Sequence, residues 1–137
     1  MSPASRGPEV LEITANAGVV RARQLVRALA QECRFSLVEQ TKLITAASEL
    51  ARNTLVHGGG GTMTAALVEE RGRRGARLVF TDQGPGIADV DLALTDGWTS
   101  GGGMGLGLSG SRRLVDDFVL DTEVGRGTVV TITKWVR

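Results

Sequence analysis

The chain has 137 residues, with 16 Lys and Arg, 15 Asp and Glu and a net charge of +1. That length suits one compact domain, and a hydrophobic content of 42% supports a core and excludes a disordered chain. A net charge so near zero and an aromatic content of 4% argue against nucleic-acid binding. Residues 1–8 lack hydrophobic periodicity and are expected to be a disordered end, with residues 9–137 forming the single domain.

The first half of the domain predicts a strand followed by two amphipathic helices. Residues 10–13 are β-like, and residues 17–33 repeat apolar side chains at helical spacing with arginines on the outer face. Ser36 followed by Glu39 is a capping box, which predicts that a second helix begins there. This helix runs to His57, where four consecutive glycines end it.

The second half predicts two hairpins separated by a long loop and a helix. Residues 62–69 and 77–82 form the first hairpin, joined by a basic turn that contains Gly72 and Gly75. Residues 83–103 are a long glycine-rich loop, residues 106–117 resume helical spacing, and residues 118–123 and 128–136 are the closing strands. Helices grouped among antiparallel hairpins predict a two-layer α/β (α+β) sandwich, with the helices on one face of a mixed sheet.

The cysteine and histidine content limits the chemistry. The single Cys33 excludes an internal disulfide and a multi-thiolate zinc site, and the single His57 has no second imidazole with which to share a metal. We expect Cys33 to be a small buried hydrophobe. No apolar run reaches the roughly 18 residues that span a bilayer, and the first residues lack the apolar segment of a secretory signal. We therefore expect a cytoplasmic protein without membrane association.

Three polar residues on the second predicted helix are the first candidate site. Glu49, Asn53 and His57 are spaced four apart, so they lie on nearly the same helix face, each about 6 Å from the next along the axis. An Asn oxygen is a ligand that Mg²⁺ takes together with phosphates and water, and a Glu one turn earlier could orient or deprotonate a hydroxyl nucleophile. The alternative is that the stripe is the solvated side of a half-buried helix.

Two glycine-rich segments are the other candidates. Asp82, Gly84 and Gly86 follow a predicted strand, where glycines let the backbone approach a planar ring and an ionised Asp accepts from an exocyclic amino group. An ordinary Asx turn would account for them equally well. Residues 100–110 hold a glycine run that leads into a helix, which suits phosphate binding by free N–H groups; the alternative is a flexible linker.

The common nucleotide-binding motifs do not fit this sequence. Gly105, Gly107 and Gly110 spell GxGxxG, but a long loop precedes them and no parallel βαβ unit follows, so we reject a dinucleotide fold. A P-loop needs the sequence GK[ST], and a eukaryotic protein kinase needs a strand lysine and an HRD loop. The only lysines, Lys42 and Lys134, lie near no glycine loop.

Taken together and in order, these segments resemble the motif boxes of the GHKL (Bergerat-fold) ATPase superfamily. ELARNTLVH is similar to the N box, DQGPGI to the first glycine box, GGGMGLGL to the second and GRGT to the last. The match extends from Val10 to Arg137. Within the superfamily, these segments and the ending KWVR resemble the RsbT-type serine/threonine kinases of the stressosome, in the anti-sigma regulatory group. The superfamily fold is the two-layer sandwich expected above.

The resemblance implies a role for each matching residue. Asn53 would hold Mg²⁺ against the triphosphate, and Glu49 would be the catalytic base. Asp82 would accept from the adenine amino group, with Thr128 supporting it. Glycines would shape the base pocket and contact the phosphates: Gly84 and Gly86 in the first role, and Gly103, Gly105 and Gly107 in the second. Residues 89–103 would form the ATP lid.

One departure from the family pattern concerns charge. Anti-sigma kinases commonly carry a basic residue just ahead of the second glycine box, and this chain has only glycines there. Arg52 is the nearest replacement at the γ-phosphate, or else a surface partner of Ser48 or Glu49.

The resemblance also implies a function. It is that of an ATP-dependent serine/threonine protein kinase of a partner-switching pathway, which phosphorylates a STAS-domain antagonist protein. Once released from that antagonist, the kinase would activate a PP2C-type phosphatase. Two alternatives stay open: an anti-sigma factor that binds a sigma factor directly, and a non-catalytic, nucleotide-gated interaction module.

Overall fold

The computed structural model describes residues 8–94 and 107–137. Its elements are β1 (Glu9–Ile13), α1 (Asn16–Cys33), α2 (Leu37–Val56), β2 (Gly61–Glu70), β3 (Arg73–Asp82), α3 (Val90–Ala93), α4 (Gly107–Arg113), β4 (Asp117–Glu123) and β5 (Gly127–Trp135). The strands in this part of the chain form one five-stranded sheet in the order β1-β2-β3-β5-β4. In the described part of the chain, no helix combines the length and the apolar character needed to cross a membrane.

The two predicted layers are present, but the sheet is not mixed. Each neighbouring pair of strands in the described sheet is antiparallel, so the prediction of a mixed sheet is wrong. The reason lies in the connection between β1 and β2, which contains two helices. Helix α1 carries the chain away from the end where β1 finishes and α2 returns it, so β2 begins at that same end and runs antiparallel. A single crossover helix would have made the pair parallel.

One face of the sheet packs against α1 and α2 to form the core. The strands contribute Ile13, Met63, Leu78, Phe80 and Ile132, and the helices contribute Ala22, Val26, Leu29, Cys33, Leu43, Ala47 and Leu50, all of them at most 2% exposed. The expectation that Cys33 is a buried hydrophobe is confirmed. Burial raises the pKa of the Cys33 thiol to about 11, which keeps it protonated.

The capping box at the start of α2 is half formed. The Ser36 hydroxyl accepts a hydrogen bond from the Glu39 N–H at 3.2 Å, as predicted. The Glu39 carboxylate points to the sheet layer instead of turning back to Ser36, and its Oε2 lies 2.5 Å from Lys134 Nζ. The residue that signals the helix start therefore also joins α2 to β5.

The turn between β2 and β3 is tighter than the sequence indicated. Arg71 and Gly72 have φ angles of 52° and 75°, which is the two-residue type I′ geometry, and Gly75 lies within β3. The prediction of a longer basic turn is wrong because its arginines are held on the strand. Arg73 lies 4.5 Å from the centroid of the Trp135 ring, and Arg74 donates to the Cys33 carbonyl at 3.2 Å.

Two other element boundaries differ from prediction. Helix α4 ends at Arg113, and the predicted helical residue Asp117 begins β4, where its carboxylate accepts from Trp135 Nε1–H at 2.9 Å. The predicted irregular stretch 83–103 contains the short helix α3. Residues 1–7 of the expected disordered end and residues 95–103 of the expected lid lie outside the described residues, as do residues 104–106.

Candidate functional site

A row of residues crosses the sheet at the end where α2 finishes. Cross-strand pairing sets these residues side by side from edge to edge, in the order Ile13, Gly61, Asp82, Thr128, Thr122. Directly paired residues point to the same face of a sheet. Ile13 is fully buried and so identifies this as the face that packs on the helices. The row therefore places Asp82 and Thr128, both predicted site residues, next to each other below the end of α2.

Asp82 is half-buried and is held from two sides. Its Oδ1 accepts from the Gly84 N–H at 2.9 Å, so the Asx turn considered from the sequence is present. A Cβ added to Gly58 would lie 2.5 Å from Asp82 Cβ and 2.6 Å from Asp82 Oδ2. A Cβ added to Gly84 would meet the Gly58 Cα at 2.8 Å. Only bare backbone fits between Gly58, Gly84 and Asp82, so the two glycines pack closely on this carboxylate and hold it in place.

The last turn of α2 carries Gly58 to the carboxylate. The Asn53 carbonyl accepts from the His57 N–H at 2.9 Å and from the Gly58 N–H at 3.0 Å. Asn53 and Glu49 lie one and two turns back along the helix, and both are half-buried, whereas His57 is exposed. The polar stripe therefore ends next to Asp82. Glu49 and Asn53 are half-buried, so these two residues do not lie on a fully solvated face of the helix.

A hydroxyl pair continues the row on the other side of Asp82. Thr122 Oγ1 lies 2.9 Å from Thr128 Oγ1, accepts from the Ile87 N–H at 3.0 Å and donates to the Gly127 carbonyl at 3.1 Å. Thr122 is a site residue that was not predicted from the sequence. Its signal was available in the alternation of β4, where it shares a face with Phe118 and Leu120, but only strand register shows that it faces Thr128.

The loop after β3 is fastened to the turn between β4 and β5. Gly125 N–H donates to the Pro85 carbonyl at 2.9 Å. Gly86 has a φ of 76°, and a Cβ there would lie 3.0 Å from the Val124 Cα. Gly127 has a φ of 114°, and a Cβ there would lie 3.0 Å from the Gln83 Cα. Gly86 thus packs the loop against the turn and, unlike Gly84, meets no part of the Asp82 side chain within the contacts described.

The remaining predicted residues fall into two groups. Gly107 begins α4 with a φ of 68°, while Gly103 and Gly105 lie outside the described residues. Arg52 is exposed on α2, and the Ser48 hydroxyl donates to the Ile44 carbonyl at 2.8 Å, within its own helix.

Comparison with known proteins gives the family. The model described as histidine kinase-, DNA gyrase B-, and HSP90-like ATPase matches residues 38–137. The chain belongs to this ATPase family. It is 43% identical over 119 residues to serine/threonine-protein kinase RsbT of Bacillus subtilis (strain 168), covering 87% of this chain and 90% of that protein. It is 29% identical over 122 residues to an anti-sigma F factor of Geobacillus thermodenitrificans, covering 84% and 82% of the two chains.

A solved structure supports the fold. The crystal structure of the RsbU and RsbW domains of a Mycobacterium tuberculosis protein superimposes with a TM-score of 0.61 at 23% identity. The alignment covers 94% of this chain and 32% of the solved chain, so this chain spans about a third of that longer protein. The resemblance to RsbT-type kinases and the two-layer GHKL fold are confirmed. The predicted enzyme class, a protein serine/threonine kinase that uses ATP, is confirmed with them.

Proposed function

We propose that this chain transfers the γ-phosphoryl group of ATP to a serine or threonine of a small STAS-domain antagonist protein, in a partner-switching pathway of the cytoplasm. The observation that carries the proposal is the row in which Asp82 and Thr128 lie side by side, with Gly58 from the end of α2 against the same carboxylate. That arrangement stands in a chain 43% identical to an RsbT kinase.

The residues around Asp82 fit an adenine ring. Among the described residues, the hydrogen bond to the Asp82 carboxylate comes from Gly84 and goes to Oδ1, which leaves Oδ2 as an acceptor for an exocyclic amino group. The bare backbones of Gly58 and Gly84 pack against this side chain and against each other so closely that even a methyl group would collide, and they hold the carboxylate in place. Gly86 packs the loop that contains Gly84 against the β4–β5 turn.

The polar stripe of α2 supplies the groups for phosphoryl transfer. Asn53 would hold Mg²⁺ through its amide oxygen, and this ion would offset the charge of the phosphates. Glu49 would accept the proton of the incoming serine or threonine hydroxyl as the oxygen attacks the γ-phosphorus and the bond to the leaving ADP breaks. Gly103, Gly105 and Gly107 would hold the phosphates through their N–H groups, with Gly107 at the start of α4.

The similarity to an RsbT kinase supports the proposed partners. Release of the kinase from its phosphorylated antagonist would free it to bind and activate a PP2C-type phosphatase. Similarity to an anti-sigma F factor at 29% identity favours a second candidate, in which the chain binds a sigma factor directly. A chain that bound ATP but transferred no phosphate would be a nucleotide-gated interaction module.

The test combines binding with transfer. Calorimetric titration of the full chain with ATP, with and without Mg²⁺, should show binding that depends on magnesium. Incubation with γ-labelled ATP and a STAS-domain protein should then move the label to a serine or threonine of that protein. Binding without transfer would contradict the kinase proposal and favour the module. Capture of a sigma factor but no STAS-domain protein would favour the anti-sigma candidate.

A further inference from the structure

Among the residues that the structure describes, the hydroxyl of Thr122 has three polar neighbours, and it carries one hydrogen. Its Oγ1 accepts from the Ile87 N–H at 3.0 Å and faces the Gly127 carbonyl at 3.1 Å and Thr128 Oγ1 at 2.9 Å. A hydroxyl donates one hydrogen bond and accepts two. Since a carbonyl oxygen only accepts, the hydrogen of Thr122 must go to Gly127.

This assignment determines the direction of the Thr128 hydroxyl. With its own hydrogen committed to Gly127, Thr122 Oγ1 meets Thr128 as an acceptor, so Thr128 must be the donor of the 2.9 Å hydrogen bond. Thr122 is then saturated, with one hydrogen bond donated and two accepted. The Thr128 hydroxyl donates its hydrogen to Thr122, so it can only accept hydrogen bonds from a ligand bound beside it.

Thr128 therefore presents the same polarity as its neighbour in the row. Asp82 is its direct partner on β3, and Asp82 Oδ2 is also an acceptor. Two adjacent acceptors match a ligand group that carries hydrogens, such as the 6-amino group of adenine, directly or through one water. A purine with a 6-oxo group would instead set an acceptor against both of them, and hydrogen-bonding sites discriminate strongly against such mismatches.

We infer that Thr122 is a positioning residue that sets base specificity by fixing the Thr128 hydroxyl as an acceptor. This inference rests on the proposed function, because it takes the Asp82 end of the sheet to be the base pocket. It assigns selectivity for a 6-amino over a 6-oxo purine to a side chain that does not itself reach the base.

The experiment compares ATP with inosine triphosphate, which carries a 6-oxo group in place of the amino group. Dissociation constants of both are measured calorimetrically for the wild type, Thr122→Val and Thr122→Ser. Val keeps the shape but removes the hydroxyl, so Thr128 is free to rotate and donate. The ATP preference should fall by about three- to tenfold, the value of one neutral hydrogen bond. Ser keeps the hydroxyl and should keep the wild-type preference.

Two further variants serve as a control for hydroxyl loss elsewhere on the sheet and as a replacement if Thr122→Val does not fold. Thr131→Val removes a hydroxyl from the opposite face of β5 and should leave the preference unchanged. If Thr122→Val does not fold, as judged by thermal melting, Thr122→Ala provides the same comparison without the branched side chain.

The outcomes separate this inference from the proposed function. The inference is supported if the wild type prefers ATP, Thr122→Val reduces this preference and Thr122→Ser keeps it. An unchanged preference in Thr122→Val, or an equal fall in Val and Ser, overturns it while leaving the ATP site intact. A wild type that binds neither nucleotide overturns both proposals.

Discussion

Lys134 on β5 and Glu39 on α2 form an ion pair across the two layers, with 2.5 Å between Nζ and Oε2. The Lys134 side chain is 4% exposed and that of Glu39 is 21% exposed. Lys134 also donates to the Leu114 carbonyl at 3.2 Å, just after α4. The pair therefore joins α2, β5 and the end of α4, at the opposite end of the sheet from Asp82.

Removing one partner should be costly because the other charge stays buried. We expect Glu39→Gln to lower the free energy of unfolding by about 2 to 3 kcal/mol. This is at the lower end of the cost of breaking a buried ion pair, because the Gln side chain still offers Lys134 a hydrogen-bond acceptor. Urea unfolding measures this. The double variant Glu39→Gln with Lys134→Met should be more stable than Glu39→Gln alone, since no unpaired charge remains.

Glu70→Gln is the matched control. Glu70 pairs with Arg77 at 3.1 Å, but its side chain is 49% exposed, so its loss should cost less than about 1 kcal/mol. Equal losses for Glu39→Gln and Glu70→Gln would show that burial of the interlayer pair has no energetic consequence.

The same pair should make stability depend on acid pH. The hydrogen bond from Lys134 holds the pKa of Glu39 below its ordinary value of 4.5, with the charges of Lys134 and Lys42 acting in the same direction. A carboxyl whose folded pKa is lowered contributes stability above its unfolded pKa and loses it as the pH falls through the folded value. The difference in unfolding free energy between wild type and Glu39→Gln should therefore shrink below about pH 4.5. A difference that stays constant down to the acid limit would contradict this.

Local sequence patterns predicted much of this fold, and the errors share one cause. Ser36, the glycines after His57 and the alternation of the strands are local signals, and each predicted its element, although β3 begins at Arg73 and not at residue 77. The antiparallel pairing of β1 with β2, the hydroxyl pair of Thr122 with Thr128 and the partner of Glu39 all depend on residues far apart in the chain. Such contacts follow from register and layer packing, which one sequence does not encode locally.

Asp82→Asn tests the base-binding acceptor. Because the Gly84 N–H donates to Oδ1, Asn would keep its oxygen there and place its NH2 group at the position of Oδ2. The charge-assisted hydrogen bond to the base is then lost, which should weaken ATP binding by about 1.5 to 3 kcal/mol, or roughly ten- to a hundredfold. Calorimetric titration with ATP gives the value. Asp121→Asn, on the exposed face of β4, is the control and should leave the affinity unchanged. An unchanged dissociation constant in Asp82→Asn would remove this carboxylate from the pocket.

Glu49→Gln tests the assignment of the base. Loss of a general base should slow phosphoryl transfer by about 10² to 10⁴-fold, while ATP affinity stays within about twofold because the amide keeps the shape of the side chain. Single-turnover transfer and ATP titration measure the two effects separately. Glu12→Gln, exposed on β1, should change neither. Equal losses of binding and transfer would contradict the role of Glu49 as the base and assign it to nucleotide binding.

Gly58→Ala tests whether bare backbone beside Asp82 is required. The φ of Gly58 is not in the left-handed region, so Ala causes no backbone strain there, and its effect comes from the added methyl group. That methyl would overlap the Asp82 side chain, 2.6 Å from Oδ2, and push the carboxylate out of the row. ATP affinity should fall at least as far as in Asp82→Asn. The double variant Asp82→Asn with Gly58→Ala should bind ATP little more weakly than either single variant, because both changes act on one contact.

Gly72→Ala is the matched control, because a Cβ at this position in the distant β2–β3 turn meets nothing within 4 Å. It should lower stability, since Gly72 has a φ of 75°, but leave ATP binding intact. Full ATP affinity in Gly58→Ala would mean that the end of α2 does not form a wall of the base pocket.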